Sequence, residues 1–428
     1  MRVEKTKKES LKNQALLTAG SGALVRALGF GLRLLLSRAL GAEALGVMEL
    51  ASGVHLLALA PAAAGLPSAV SRLTARAESE TEKRMILSAG RRMALKMGLL
   101  LSPLLLLLSP LIARLLGDQR TLPSLYLFAP CVLTVGLSSV YDGASFGRGR
   151  ALYPALSEGA EQLVRLLTVG GLLFLIPRLT VAYRAALPAF ASTVGEAAGL
   201  LVILLLSGKT PAFRKNAETR KIRKTLFRLS LPLLLNRLSH TALHSLNNVV
   251  IPLRLMAGGL TRGEAMSRLG MLGGMVMPLM FLPGLLSGAL SVVGCPAIAS
   301  CKTRKAENRL AFRLISCALG TGLLCAAGLY ALAPVLSARL YRLPELADLM
   351  RAACPLALIL PVQQTVNGLL TGLGLQKRSL MAGLLGAGAA LLCTWQWTAA
   401  FGIRGSAYAG MTGHALTLAC EMIVLYLR

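Results

Sequence analysis

The chain has 428 residues, of which 55% are hydrophobic and only 15% are charged, and its mean hydropathy is +0.64. Such a composition excludes an ordinary soluble domain of this length and is typical of a polytopic membrane protein. The net charge of +28 does not indicate nucleic-acid binding, because the basic residues alternate between loops and do not form one face with aromatic residues. We predict an all-α membrane protein without nucleic acid among its partners.

Apolar stretches long enough to cross a bilayer recur about twelve times, and the connections between them are too short for a soluble domain. The predicted spans cover residues 13–38, 43–70, 94–116, 122–142, 151–176, 181–207, 228–252, 268–293, 310–337, 346–373, 379–402 and 405–427. Lys and Arg are dense before the first span and after the second, sixth and eighth spans. The positive-inside rule therefore predicts a multi-pass membrane protein with both termini in the cytoplasm and its basic loops facing anionic lipids.

An internal repeat is visible in the spans. "DGASFGRG" from residue 142 and "NGLLTGLG" from residue 367 share three glycines at equal spacing, and a weaker echo joins "GLPSAVSRLTA" to "GCPAIASCKTR". Six spans separate the copies, so both halves enter the membrane from the same side. The pattern predicts two pseudo-twofold-related six-helix bundles, an N-terminal lobe at 1–207 and a C-terminal lobe at 228–428, joined by a basic cytoplasmic linker at 208–227.

The first span carries arginines where hydrocarbon is expected. In "VRALGFGLRLLLSRALG", Arg26, Phe30, Arg33 and Ser37 share one helical stripe. A charge at membrane depth costs several kcal/mol, so such residues face a cavity or a partner. The simpler alternative is that these arginines reach the membrane interface or bond the carbonyl groups of a neighbouring helix.

The seventh span carries a second polar stripe, formed by Arg237, His240, His244 and Asn247. If the two halves face each other, this stripe and that of the first span line one cationic cavity. Arginine favours phosphate or carboxylate ligands, because its planar fork donates two parallel hydrogen bonds and stays charged. The sequence therefore predicts an anionic substrate.

The fifth span contains the possible ion or structural pair Glu158, Glu161 and Arg165, in which the last two have the i, i+4 spacing of an ion pair. It is interpreted as a structural pair or as part of a sodium or proton pathway. Other acidic residues and histidines of the spans stand alone or near span ends and are interpreted as satisfied packing or interfacial residues: Glu49, His55, Asp142, Glu196, His414 and Glu421. The eight cysteines form no C-x-x-C pair, so no metal site and no cofactor is expected.

Several motifs resemble one family. "RALGFGLRLLLSRALGAEALGVMELA", "AAAGLPSAVSRLTAR", "SLNNVVIPLRL", "MPLMFLPGLLSGALSVVGCPAIAS" and "LPVQQTVNGLLTGLG" together look like the stage V sporulation protein B group of polysaccharide and lipid-linked oligosaccharide exporters. This group belongs to the multidrug/oligosaccharidyl-lipid/polysaccharide flippase superfamily, with the lipid II flippase and the multidrug and toxin extrusion antiporters. The resemblance covers nearly the whole chain.

The resemblance implies two lobes that alternate between inward-open and outward-open states while an undecaprenyl-linked diphosphate precursor crosses. Arg26 and Arg33 match the cationic positions of the family's first helix, and Arg237 matches an arginine-bearing position of the seventh. The chain departs from the family in stopping at twelve spans instead of fourteen. A missing final pair would remove a groove proposed for the lipid tail.

Three alternatives to a flippase remain open. A drug/cation antiporter of the same fold would use a membrane carboxylate, of which Glu49 and Glu158 are candidates. A membrane glycosyltransferase would need acidic residues in sizeable loops, which the sequence does not offer, so no enzymatic activity is expected. A non-transporting scaffold for cell-wall or spore-cortex synthesis proteins is the third. No P-loop appears, so direct use of ATP is not expected.

Overall fold

The computed structural model describes residues 22, 25, 27–63, 65–176, 178–208, 217–299, 301 and 303–428. All regular structure in these residues is helical, which confirms the predicted all-α fold. Arg26, one of the predicted site residues, lies outside the described residues.

The helices are numbered in chain order. The first of them, α1, covers residues 27–40. The N-terminal helices that follow are α2 (Ala42–Ala63), α3 (Leu66–Arg76), α4 (Glu80–Leu115), α5 (Leu122–Gly147), α6 (Leu152–Leu175) and α7 (Val181–Ser207). The remaining helices are α8 (Ala217–Ala257), α9 (Arg262–Gly270), α10 (Met277–Met280), α11 (Pro283–Ala299), α12 (Arg304–Val335), α13 (Leu346–Gly372), α14 (Gln376–Phe401) and α15 (Ile403–Tyr426). Two π-helical segments interrupt this order, Met271–Val276 before α10 and Leu336–Leu340 after α12.

Local sequence signals set several helix ends. The Ser79 hydroxyl accepts a hydrogen bond from the Glu82 amide at the start of α4, and the Thr303 hydroxyl does the same for the Ala306 amide at the start of α12. Gly149 and Gly374, the last glycines of the two sequence echoes, follow α5 and α13 with φ of 72° and 76°. Only glycine adopts such a backbone conformation without steric cost, so both helices stop at the same point of the repeat.

Eight helical stretches in the described part of the chain are long and apolar enough to cross a membrane, and each coincides with a predicted span. They are Ala42–Arg76, Glu80–Leu115, Gln119–Gly147, Val181–Ser207, Arg304–Leu340, Leu346–Gly372, Gln376–Phe401 and Ile403–Tyr426. The chain is therefore a multi-pass membrane protein. Of the other predicted spans, the first is described only at residues 22, 25 and 27–38. The fifth and seventh spans correspond to α6 and α8, which carry the polar residues singled out above.

The predicted eighth span, 268–293, is not one continuous helix. It is divided into the end of α9, the first π-helical segment, α10 and α11, with a turn at residues 281–282. Pro278 and Pro283 explain the break, because a proline ring lacks the amide hydrogen that continues a helix. Residues 217–227, which the sequence assigned to the linker, form the first turns of α8.

The chain divides into two compact units. The first unit comprises the residues up to Leu32 and Leu50–Thr241, and the second comprises Arg33–Glu49 and Ala242–Arg428. The boundary therefore falls within α1, α2 and α8, and the segment 33–49 belongs to the second unit although its position in the sequence is N-terminal. The predicted lobe boundaries stay a prediction.

Each unit has the same pattern of helix packing. In the first unit α5 packs against α3, α4 and α7, and α6 packs against α7. In the second unit α13 packs against α11, α12 and α15, and α14 packs against α15. The central helices α5 and α13 are the more buried ones, whereas α4 and α12 expose most of their leucines, as lipid-facing helices do. This agreement supports the internal repeat.

The shared glycines of the repeat lie where helices approach most closely. A Cβ atom at Gly143 would contact the Pro67 carbonyl group, and one at Gly368 would contact Ser291. Four residues on in each helix, Gly147 faces Ser71 and Gly372 faces Cys295. Glycine is needed at these places because it lets two membrane helices touch along their backbones.

The same contacts correct the weaker sequence echo. That echo equates Pro67 with Pro296, whereas the packing against α5 and α13 equates Pro67 with Ser291. The two prolines are therefore five positions out of register, and their likeness in the sequence does not reflect equivalent places in the repeat.

We expect Gly143→Ala and Gly372→Ala each to lower the free energy of unfolding by roughly 1–3 kcal/mol, because the added methyl group meets backbone atoms that cannot rotate away. Gly170→Ala in α6, where a Cβ atom meets nothing within 4 Å, is the matched control and should stabilise by about 0.5–1 kcal/mol. Thermal unfolding of the purified variants measures the difference. Equal stability of all three would contradict the close packing.

We also expect a fluorescent protein fused after Arg428 to mature, since the positive-inside rule places the C-terminus in the cytoplasm. Alkaline phosphatase inserted at Gly117, between α4 and α5, should be active, because the same rule predicts that this turn faces the outside. The two reporters give opposite results if the orientation is reversed.

Candidate functional site

Arg33 of α1 is half-exposed, and its contacts with described residues lie within the second unit. Its Nη1 atom donates to Glu49 Oε1 at 3.1 Å and to the Gly273 carbonyl oxygen at 3.0 Å. The side chain is 41% exposed, whereas that of Glu49 is 11% exposed. Both contacts use one terminal nitrogen, so the other edge of the guanidinium group remains directed away from them.

The carbonyl group that Arg33 contacts belongs to the first π-helical segment, Met271–Val276. A change from α- to π-helical hydrogen bonding leaves carbonyl groups without their usual amide partner, and these need another donor. Arg33 supplies one to Gly273, and the Tyr341 hydroxyl supplies one to the Met275 carbonyl oxygen at 3.1 Å. Side chains from two distant parts of the sequence thus stabilise this segment.

Gly273 also makes room for Glu49. A Cβ atom at Gly273 would lie 3.2 Å from Glu49 Cγ, so the carboxylate side chain rests directly on the glycine backbone. The Asn248 side-chain amide of α8 donates to the Glu49 carbonyl oxygen at 3.4 Å. Glu49 is therefore held by α8, by the π-helical segment and by Arg33.

Arg38, five residues after Arg33, makes a similar contact with the second π-helical segment. Its Nε atom donates to the Leu340 carbonyl oxygen at 2.6 Å and its Nη2 atom to the Arg339 carbonyl oxygen at 3.0 Å. Two arginines of α1 therefore bond carbonyl groups at the two π-helical segments. This is the simpler alternative considered for the arginines of the first span, and it explains why the chain from Arg33 onward belongs to the second unit.

The predicted stripe of the seventh span is divided between the two units. Arg237 and His240 belong to the first unit, and His244 and Asn247 belong to the second. Arg237 and His244 are exposed, and the Oδ1 atom of Asn247 is buried without a hydrogen-bond partner among the described residues. The meeting of this stripe with that of the first span in one cavity stays a prediction.

The first unit contains a second ionic cluster, centred on Arg165 of α6. Its Nη2 atom lies 2.6 Å from Glu161 Oε1 and 2.8 Å from Glu196 Oε1 of α7. All three side chains are largely buried, with two carboxylates sharing one guanidinium group. Glu158, the third member of the predicted set, is exposed and forms no ion pair with any residue that the structure describes.

Close helix packing surrounds the Arg165 cluster. A Cβ atom at Gly195 would meet the Arg165 side chain and the Glu161 carbonyl group, and the Ser157 hydroxyl donates to the Gly199 carbonyl oxygen at 2.8 Å. The Nε atom of Arg165 is buried without a described partner. The ion pair between Arg165 and Glu196 therefore holds α6 against α7. The Nε–H group of Arg165 is still able to donate one more hydrogen bond.

The partners of two carboxylates in these clusters are not predicted by the sequence. Glu49 and Glu196 are interpreted there as satisfied packing or interfacial residues, and the structure shows the ion pair that each one forms. Their partners lie 16 and 31 residues away on other helices, so no i, i+4 spacing reveals them. The available signal was the charge itself, since a carboxylate inside an apolar span requires a partner.

Comparison with known proteins agrees with this architecture. Residues 10–302 match the family described as "Polysaccharide biosynthesis protein". The chain is 27% identical to stage V sporulation protein B of Bacillus subtilis (strain 168), over 96% of this chain and 82% of that protein.

Solved membrane transporters share the fold. The lipid II flippase MurJ in an inward closed conformation superposes with a TM-score of 0.78 at 15% identity, covering 96% of this chain and 87% of MurJ. An inward-facing multidrug resistance MATE family transporter of the MOP superfamily superposes with a TM-score of 0.72 at 16% identity, covering 94% of each chain. The family match extends over more than half of the sequence, and the chain therefore belongs to the polysaccharide biosynthesis protein family.

Proposed function

We propose that the chain is an alternating-access flippase that moves an anionic undecaprenyl-diphosphate-linked saccharide or peptidoglycan precursor across the cell membrane. The family, the likeness to stage V sporulation protein B and the fold shared with a lipid II flippase support this function. It is transport without an enzymatic step.

The observation that carries the proposal is the half-exposed guanidinium group of Arg33 in a predicted membrane span. Its partners, Glu49 and the Gly273 carbonyl group, hold it through Nη1 alone. The opposite edge of the fork has the geometry that binds two phosphate oxygens. A lipid-linked diphosphate presents such oxygens at the membrane surface while its prenyl chain stays in the bilayer.

The other proposed substrate-binding residues follow from the sequence stripes: Arg26, Arg237, His240, His244 and Asn247. Arg237 and His244 are exposed, as residues that meet a polar head group must be. Anionic lipids contact the basic cytoplasmic loops, and cell-wall synthesis proteins are proposed as suppliers or consumers of the precursor. A sodium or proton gradient is proposed as the energy source.

A drug/cation antiporter is the second candidate, and the Arg165 cluster is the observation that favours it. Glu161 and Glu196 supply two carboxylates to one arginine, so the cluster has the acidic excess that binds a coupling ion or a cationic drug. The same excess is compatible with an ion-coupled flippase. A non-transporting scaffold would need neither an exposed arginine in a span nor this cluster.

We expect Arg33→Ala to lower the rate of precursor translocation in proteoliposomes by at least about tenfold, because the charge-assisted hydrogen bonds to the diphosphate are lost. Arg33→Lys should give an intermediate rate, since lysine keeps the charge without the planar fork. Translocation is measured by extraction of a labelled lipid-linked precursor from the outer leaflet.

Arg404→Ala serves as the matched control for this measurement. Arg404 forms an exposed ion pair with Asp348 at 3.0 Å, and this substitution should leave translocation unchanged. Equal translocation rates for Arg33→Ala and Arg404→Ala, at equal amounts of folded protein, would show that Arg33 does not bind the substrate during translocation. If the intact protein does not translocate the precursor, the flippase is excluded and the scaffold and the antiporter remain as candidate functions.

We further expect the intact protein not to transport ethidium into proteoliposomes under an imposed sodium or proton gradient, while it translocates the lipid-linked precursor in the same vesicles. The first-span arginine repels a cationic drug. Ethidium uptake that Glu196→Gln abolishes, without precursor translocation, would establish the antiporter.

A further inference from the structure

Glu421 of α15 is a buried carboxyl group in the second unit. It is 1% exposed and forms no ion pair with any residue that the structure describes. Leu418 and Leu425, on the same face of α15, pack against the apolar cluster that contains Val366 and Leu370 of α13. In such surroundings a carboxylate without a cation is strongly disfavoured relative to the neutral acid.

Two neighbouring helices direct hydrogen-bond donors at one oxygen of this carboxyl group. Glu421 Oε1 accepts from the Ser379 hydroxyl of α14 at 2.6 Å and from the Asn367 side-chain amide of α13 at 3.2 Å. The Asn367 amide also donates to the Ser379 oxygen at 2.8 Å, which holds both donors in place. The other oxygen, Oε2, is buried without a hydrogen-bond partner among the described residues. Oε1 is thus placed as the carbonyl oxygen of a carboxylic acid, and Oε2 as the oxygen that carries the proton.

The helices packed against α15 bring no positive charge to Glu421. These helices are α13 and α14, and residues 352–372 of α13 include no charged residue. The charged residues and the histidine on α13, α14 and α15, and the arginine that follows α15, have other partners or are exposed: Asp348, Arg351, Lys377, Arg378, Arg404, His414 and Arg428. Among the described residues, therefore, no cation offsets a negative charge on Glu421, and a proton from solution can do so.

A proton fits this place better than a sodium ion does. Ser379 and Asn367 direct hydrogen atoms at the carboxyl group, whereas a hard metal cation needs several oxygen atoms directed at itself. Asn367 also stands where the first copy of the repeat has Asp142, so the second copy has a neutral amide at this position. With a single carboxyl group, the cluster of Asn367, Ser379 and Glu421 compensates one positive charge.

We infer that Glu421, held by Ser379 and Asn367, is the group whose protonation couples the chain to a proton gradient. The inference rests on the proposed function and names the ion and the residue that this function leaves open. Ser379 is the fourth residue of α14, and Glu421 lies five residues before the end of α15, so the cluster is near helix ends that the sequence predicts on the cytoplasmic side.

The coupling follows from the burial of Oε2. A proton on this oxygen stabilises the buried arrangement, and loss of the proton favours an arrangement in which water reaches the carboxylate. A substrate whose affinity differs between the two arrangements is thereby coupled to the proton, because each ligand shifts the same equilibrium.

The test measures how an imposed pH gradient distributes labelled undecaprenyl-diphospho-N-acetylglucosamine between the two leaflets of proteoliposomes, with the membrane potential held near zero by potassium and valinomycin. We expect a gradient of about one pH unit to change the leaflet ratio about tenfold with the intact protein, because one proton per precursor contributes a factor of ten per unit. Reversing the gradient should reverse the change, and replacing sodium by choline should leave it unaltered.

Glu421→Gln keeps the size of the side chain and its acceptor oxygen but cannot bind a proton, so it should abolish the response to the gradient. Glu421→Asp, which keeps the carboxyl group, should retain the response. Glu345→Gln is the matched control and should also retain it, since Glu345 forms an exposed ion pair with Arg268 at 3.2 Å in the same unit. If Glu421→Gln is folded but inactive, its infrared spectrum should lack a protonated-carboxyl band that the intact protein has.

Two results would overturn the inference alone: a gradient response or an infrared band that Glu421→Gln leaves unchanged, and a leaflet ratio that follows a sodium gradient in place of the proton gradient. The second of these is measured on the intact protein and does not depend on the folding of any variant. An intact protein that does not translocate the precursor even without a gradient would overturn the proposed function as well.

Discussion

The two hydrogen bonds from the Arg33 guanidinium group join three separate segments of the second unit. One pairs the charge with Glu49, and the other occupies a carbonyl group of the first π-helical segment. In a bilayer neither an unpaired cation nor a free carbonyl group is tolerated at low cost. The arginine needs hydrogen-bond acceptors, and the carbonyl group of the π-helical segment needs a donor. Because each supplies what the other needs, the first span can carry an arginine and the eighth span can depart from regular α-helical geometry.

Arg38 repeats this solution at the second π-helical segment, through the Leu340 and Arg339 carbonyl groups. The residues from Arg33 onward are thereby attached to a unit whose other members begin at Ala242. Arg33 and Arg38 thus have a structural role, which is to donate hydrogen bonds to main-chain carbonyl groups of other helical segments. Sequence analysis gives this role only as the simpler alternative to substrate binding. The exposed edge of Arg33 is what leaves room for a role in substrate binding.

Sequence patterning predicted the helical class, eight of the spans and the repeat, because apolar length and glycine spacing are properties of one continuous segment. It did not predict that Glu49 meets Arg33 or that Glu196 meets Arg165, because those contacts depend on how separate helices pack. That the Gly273 carbonyl group accepts a hydrogen bond from Arg33 could not be predicted for another reason. A main-chain acceptor exposed by a change of helical register leaves no mark in the pattern of side chains.

The two copies of the repeat solve one packing problem with different chemistry. Gly195 of α7 faces Glu161 and Arg165, whereas Gly413 at the corresponding place of α15 faces Gly386 and Ala390. In the second copy each small residue is constrained by volume alone, and each position can vary independently within that limit. In the first copy the loss of Arg165 leaves two buried carboxylates unpaired, whereas the loss of either carboxylate leaves a one-to-one ion pair. Between related chains residue 165 can therefore lose its charge only together with residues 161 and 196, whereas either acidic residue can be replaced by itself.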